Sequence, residues 1–285
     1  MLKQNIEELI HFSLINVNKP SGPLSKDVDE KIRRIFHVKK VGHSGTLDPK
    51  VSGVLVVALD EATKILKILM KSDKEYEGII HLHKDVEREK IEQMIKEKFI
   101  GEITQIPPVH SRVARKPRQR KIYSFDILEK IGKEVTFRTK VQAGTYIRKL
   151  VHDLGKELGS GAHMKFLKRT KTGKFEIKDS YEIEDIQKAY DEWKRGNDKS
   201  LRKILISIED VIDIKKIIVK NISIQRITNG SPVRSQDMLK KIDIKPGENV
   251  SIVSPSGRII GLGIARSKNK IKTDRIFINE FSSNK

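Results

Sequence analysis

One carboxylate, Asp48, stands in the stretch Lys40–Leu59 (KVGHSGTLDPKVSGVLVVAL), between a glycine-rich turn and a continuous apolar run. Gly42, Gly45 and Gly53 let the backbone turn tightly, so that a large planar ligand can approach that carboxylate. An ionised Asp so placed can serve as nucleophile or base. The same residues can also do no more than cap a turn before Pro49, with Thr46 and Asp48 supplying the side-chain oxygens. Composition leaves both readings open.

Two further residues bear on the choice. Arg148 falls in the first turn of a helix predicted from Tyr146 to Leu158, where a cation opposes the helix dipole by about 0.3–1 kcal/mol. That position points to a carboxylate partner, although a solvated surface arginine fits the same pattern. Tyr76 opens a predicted strand and fits a core as well as a site. The chain has no cysteine, which excludes disulfides, thiolate zinc sites and cysteine nucleophiles and fits a reducing, cytoplasmic setting. Among the eight histidines, His81 and His83 alternate on one strand face without a carboxylate-rich third ligand, so no metal site is expected.

The elements that must position these groups follow from periodicity. Leu14–Val17 reads as a strand and Asn18–Pro23 as a turn. Ser25 then caps a helix whose apolar positions are Val28, Ile32, Ile35 and Phe36. Gly53–Leu59 reads as a buried strand, and Asp60 as the cap of a helix burying Ala62, Ile65, Leu66, Leu69 and Met70. A strand near Glu75–His83 and a helix near Glu87–Phe99 come next. From Pro107 the stretch PPVHSRVARKPRQRKIY holds Arg112, Arg115, Lys116, Arg118, Arg120 and Lys121 and no acid, and reads as an extended basic loop. Tyr123–Glu129 and Glu134–Ala143 alternate as antiparallel partners across Ile131–Lys133.

A composition shift near residues 210–216 follows a polar helical region. Beyond it, short strands are separated by turns at Asn229–Pro232, Lys245–Gly247 and Ser254–Gly257, the pattern of a small all-β barrel. The boundary is placed so that 1–213 and 214–285 form two domains. Lys and Arg total 58 against 38 Asp and Glu, a formal charge of +20, which favours polyanionic partners, nucleic acid before an acidic membrane surface. A general Lys and Ile habit of composition accounts for part of that excess. The apolar runs are strand-sized and no secretory signal is present, so no membrane association is expected.

Several ordered motifs carry a resemblance. GHSGTLDPKVSGVLVVAL resembles the catalytic motif of the TruB-type pseudouridine synthases. NKPSGPLS (Asn18–Ser25) is similar to that family's first motif and KEYEG (Lys74–Gly78) to its tyrosine motif. QAGTYIRKLVHDLG (Gln142–Gly155) is similar to its arginine motif, and GAHMKFLKRTKTGKF (Gly161–Phe175) to the segment that closes its pocket. Ile227–Arg266 resembles the PUA domain, a small β-barrel that binds structured RNA. Within the family the chain looks closest to the archaeal and eukaryotic dyskerin-type branch, which acts in box H/ACA ribonucleoproteins. The basic segment is similar to that branch, and Tyr123–Gln142 is too short for the RNA-gripping insertion of bacterial members. A longer N-terminal extension that packs on the PUA domain is usual in the branch, and here only a short stretch precedes the first strand.

The resemblance implies an α+β pseudouridine synthase fold, a mixed and mainly antiparallel central sheet flanked by helices, followed by the PUA barrel. It implies isomerisation of uridine to pseudouridine in RNA with no cofactor and no metal. Asp48 would be the nucleophile, Arg148 its counter-ion and Tyr76 the stacking and proton-transfer residue. His43 would hold the extruded uridine, Leu167 would floor the pocket, and Lys19 with Pro20 would brace the nucleophile loop. The basic segment, Arg112 to Lys121, would bind RNA. The implied partners are H/ACA guide RNA, rRNA or tRNA, and the other proteins of H/ACA particles. Guide-independent modification of the tRNA T-loop and a non-catalytic RNA scaffold are the competing readings.

Overall fold

The computed structural model describes residues 5–107 and 114–277. Its first helix, α1 (Ile6–His11), begins where the Asn5 side chain accepts a hydrogen bond from the Glu7 amide at 3.0 Å. Strand β1 (Ser13–Lys19) leads to α2 (Ser25–Phe36), which buries Val28, Ile32, Ile35 and Phe36 as their spacing predicts. Ser25 does not cap this helix. Leu24 holds the cap position, its amide donates to Asp27 at 2.8 Å, and the Ser25 hydroxyl is engaged elsewhere.

After the short β2 (Val41–His43) comes β3 (Ser52–Leu59), buried from Gly53 onward on both faces, which is why its sequence is a continuous apolar run. The expected helix after it is broken into a 3₁₀ turn, Asp60–Ile65, and a single α-turn, α3 (Leu66–Leu69). Asp60 takes φ 37° instead of a cap conformation, and Met70 is half exposed while Ala62 and Ile65 are buried.

The next elements are β4 (Lys74–Leu82), α4 (Arg88–Lys98), β5 (Gly101–Gln105), β6 (Arg118–Ile131) and β7 (Glu134–Val141). β5 has no counterpart among the expected elements. It pairs antiparallel with Arg118–Ile122, so Arg118, Arg120 and Lys121 belong to a strand and not to a loop. Their polar alternation hid the strand, because only Ile122 marks a buried face there. β6 and β7 form the expected hairpin, followed by α5 (Ile147–Glu157), β8 (Ala162–Thr172), the short β9 (Phe175–Glu176), α6 (Ile183–Lys194) and α7 (Lys199–Ile204).

One compact unit comprises Ile15–Ala58 and Ile65–Ile204. Its sheet runs β1-β3-β8-β4-β7-β6-β5, with β3 and β8 parallel and every pair from β8 to β5 antiparallel. This is the mixed, mainly antiparallel sheet flanked by helices that the resemblance implies.

The other unit comprises Met1–Leu14, Leu59–Lys64 and Leu205–Lys285. It holds β10 (Ile206–Ser207), α8 (Ile208–Val211), β11 (Lys215–Ile218), a two-turn α9 (Asn221–Thr228), β12 (Val233–Arg234), β13 (Asn249–Val253), β14 (Ile259–Ser267) and β15 (Lys270–Ile276). The strands order β11-β13-β14-β15-β12 around Ile217, Val219, Val250, Ile252, Ile260 and Ile271. Within this unit, Glu8 of α1 pairs with Arg258, His11 with Asp60 at 2.5 Å, and Ser13 and Leu14 pair with β10. The described residues ahead of β1 are thus built into the same unit as the C-terminal strands. Among the described residues, no helix is long and apolar enough to cross a membrane.

Candidate active site

The Asp48 loop is held largely through its backbone. Lys19, fully buried at the end of β1, donates from Nζ to the carbonyls of Pro20 (2.8 Å), Pro49 (3.2 Å) and Val51 (3.0 Å). Burial pushes its ammonium pKa down, and the carboxylates of Asp27 and Asp48 act in the opposite direction. Ser25 Oγ donates to the Leu47 carbonyl at 3.0 Å and accepts from the Leu47 amide at 2.9 Å, pinning the residue before Asp48 to α2. Within the loop, the Val51 amide closes a turn onto the Asp48 carbonyl at 2.9 Å.

Arg169 on β8 is a third brace. Its side chain is 2% exposed, with Nε donating to the Val54 carbonyl at 2.7 Å and Nη2 to the Gly45 carbonyl at 2.9 Å. Gly53 makes this closeness possible. At φ 103°, a Cβ there would sit 2.2 Å from the Arg169 carbonyl oxygen.

Asp48 itself faces outward. Its Oδ2 lies 2.8 Å from Nη2 of Arg148, with side chains 51% and 58% exposed respectively. An ion pair so open to water adds about 0–1 kcal/mol to stability, so what it supplies is the direction of the carboxylate. α5 carries Arg148 as its second residue, behind Tyr146 at the cap. The Tyr146 side chain makes no capping hydrogen bond; buried Gln105 holds the Tyr146 backbone instead, accepting from its amide at 3.0 Å and donating to its carbonyl at 3.3 Å. β5, unexpected from sequence, thereby orients the helix that carries the arginine.

His43 sits between two side chains, with Nδ1 2.7 Å from Asp29 on α2 and Nε2 3.0 Å from the Thr46 hydroxyl. Tyr76, half buried on β4, pairs across the sheet with Arg169 of β8 and Thr139 of β7. Directly opposed residues share a sheet face, so Tyr76, Arg169 and, two residues along β8, buried Leu167 lie on one face. The residues that sequence reasoning missed are Ser25 in its bracing role, Asp29, Gln105 and Arg169. Arg169 lies inside a quoted motif, whereas nothing in the local pattern marks Asp29 or Gln105.

Of the basic residues, Arg115 and Lys116 are exposed ahead of β6, and Lys121 is exposed on it. Arg118 and Arg120 are partly covered, and Arg120 donates to the Gln119 carbonyl at 2.6 Å while lying against the Gly144 turn. Arg112 lies outside the described residues. His81 and His83 gain a neighbour in His163, whose ring lies 5.0 and 5.3 Å from theirs, and His81 meets Glu134 at 2.5 Å. Among the described residues, no group of three or more His, Asp or Glu side chains is arranged to hold a metal ion.

Comparison with known proteins finds matches along most of the chain. Residues 33–147 match the TruB family pseudouridylate synthase (N terminal domain), 148–213 the tRNA pseudouridylate synthase B C-terminal domain, and 217–273 a PUA-like domain. Probable tRNA pseudouridine synthase B of Methanopyrus kandleri is 42% identical over 95% of this chain and 81% of its own. Its namesake from Pyrococcus furiosus is 41% identical over 92% and 78%. Among solved structures, a Cbf5-Nop10-Gar1 complex aligns with TM-score 0.87 and 38% identity over 97% of this chain and 88% of that one. An H/ACA RNP bound to a substrate RNA containing 2'-deoxyuridine aligns with TM-score 0.86 and 36% identity over 98% and 89%. With its three segments matched in order and relatives above 40% identity across most of their length, the chain belongs to the TruB family of pseudouridine synthases.

Proposed function

We propose that the chain is the catalytic subunit of an H/ACA-type ribonucleoprotein, converting guide-selected uridines, those of rRNA foremost, to pseudouridine. Residues 1–213 act as the catalytic domain and 214–285 as the RNA-binding PUA domain. The catalytic assignment is carried by the 2.8 Å pair that joins Asp48, on its braced loop, to Arg148 on α5, two residues far apart in the sequence. The guide-dependent assignment is supported by the likeness to Cbf5 over nearly the full length of both chains.

The uridine must first leave its stack, at a cost of a few kcal/mol, which a basic surface and a shaped pocket offset. Asp48 then forms the covalent intermediate as nucleophile, while the detached or activated base turns so that its C5 meets the ribose C1′. Arg148 orients the carboxylate. Tyr76 stacks on the base and handles the proton that leaves C5, His43 holds the extruded nucleotide, and Leu167 floors the pocket. Lys19 braces the loop from beneath.

Asp48→Asn keeps the shape and removes the nucleophile. In particles reconstituted with guide RNA and the partner proteins, it abolishes pseudouridine formation and leaves RNA affinity within about twofold. Activity equal to wild type would sink the assignment.

A second reading is favoured by the relatives named tRNA pseudouridine synthase B: action on tRNA without a guide. Unmodified tRNA incubated with the protein, with and without guide and partners, separates the two. Turnover on bare tRNA as fast as on guide-paired RNA selects the tRNA reading.

A further inference from the structure

Tyr123 occupies a place where β6 carries one residue more than its partner strand. Ile122 pairs with Val141 and Ser124 with Lys140, so two steps on β6 match one on β7. A bulge of this kind twists the strand and re-aims the residue left out of the ladder. Ile122 and Phe125 on either side are buried, yet Tyr123 is 39% exposed. Its hydroxyl donates to Asp73 Oδ1 at 3.1 Å, which ties down one end of the ring. Partial burial and the Asp73 carboxylate both push the phenol pKa up, so it remains a donor.

Two cations attend the ring. Lys121 Nζ lies 5.6 Å and Lys140 Nζ 5.7 Å from its centre, and both lysines are exposed. Arg115, Lys116, Arg118 and Arg120 precede it without an intervening acid. Lys140 alternates with Val141, whose partner on β4 is Lys74, on the face of Tyr76. Lys140 therefore belongs to the opposite, solvent face of the sheet, and its approach to the ring places Tyr123 on that face as well.

We propose that Tyr123 is a stacking platform for an unpaired RNA base, with Lys121 and Lys140 taking the phosphates beside that nucleotide. The proposal rests on the reading of the chain as an RNA-modifying enzyme and adds a contact to a nucleotide other than the one presented to Asp48. An exposed cation–π contact is worth only about 0.5–1 kcal/mol, so exchanging ring for phosphate costs either lysine little. A base laid on the ring gains about 1–3 kcal/mol and is accepted whatever its sequence, because every base has a π-face.

The test uses the full chain and a single-stranded, U-rich RNA dodecamer carrying one 2-aminopurine, with titrations at several salt concentrations and circular dichroism to check folding. Tyr123→Ala weakens binding by about 5- to 100-fold and abolishes quenching of the 2-aminopurine, whereas Tyr123→Phe stays within about twofold because the ring remains. Lys121→Ala with Lys140→Ala lowers the salt dependence of binding. Wild-type affinity and quenching in folded Tyr123→Ala would overturn the platform alone and leave the RNA reading standing. So would a Tyr123→Phe variant as weak as the Ala one. Failure of the wild-type chain to bind the probe at all would overturn both.

Discussion

Lys74 and Gly53 show how much of the site's position rests on single residues outside the proposed catalytic set. Lys74 is 6% exposed at the start of the Tyr76 strand, and its Nζ donates to the carbonyls of Met70 (2.8 Å) and Ser72 (2.5 Å). Burial, and then the neighbouring Arg169 cation, bring its pKa down from 10.5 to about 8. Between pH 8 and 10.5 the unfolded chain therefore binds a proton that the folded chain has lost, so stability rises with pH across that window. Below pH 8 the penalty of a buried ammonium is present in full. Thermal unfolding of the wild type compared with Lys74→Met should show the wild type gaining relative stability from pH 8 to 10.5; a constant difference would refute the depressed pKa. Gly53→Ala meets the Arg169 backbone at 2.2 Å from a φ of 103°. It should cost about 2 kcal/mol or more and lower the melting midpoint, since neither a flexible side chain nor a rotamer can yield there.

At the level of elements, what was legible had a period. The alternation of Val135, Phe137, Thr139 and Val141 marked β7 because a half-buried strand shows its register openly. The stripe of Ile147, Leu150, Val151 and Leu154 likewise marked α5. β5 and the start of β6 stayed hidden because their partners are each other: Glu102, Lys121, Gln119 and Thr104 satisfy a ladder with backbone groups that no side-chain pattern advertises. The Asp48–Arg148 pair was legible as a question, since an arginine in the first turn of a helix wants an anion. Of the braces, Lys19 is expected through the resemblance alone; Ser25 and Arg169 are not legible, because they bond to main-chain carbonyls, which carry no residue identity. The helix expected after β3 is broken for a related reason: Asp60 reads as a cap by its type, and the chain bends there through a left-handed conformation instead. For the basic segment, neutralising Arg115, Lys116 and Arg118 should weaken RNA binding and reduce the slope of log K against log salt by about 0.7–0.9 per lost phosphate contact. An unchanged slope, measured by titration at several salt concentrations, would mean that this segment does not meet the backbone of the RNA.

Over the whole molecule, a formal charge of +20 favours RNA without choosing a uridine; on the guide-dependent reading proposed above, the choice falls to base pairing. The three braces on the Asp48 loop then have a consequence in time. A loop whose carbonyls are already held by a buried lysine, a serine and a buried arginine lost its freedom when the chain folded, and pays none of that entropy when RNA arrives. The protein has little left to rearrange around the carboxylate. On the proposed reading, what is left to order lies on the nucleic-acid side, where the uridine must swing out of its stack.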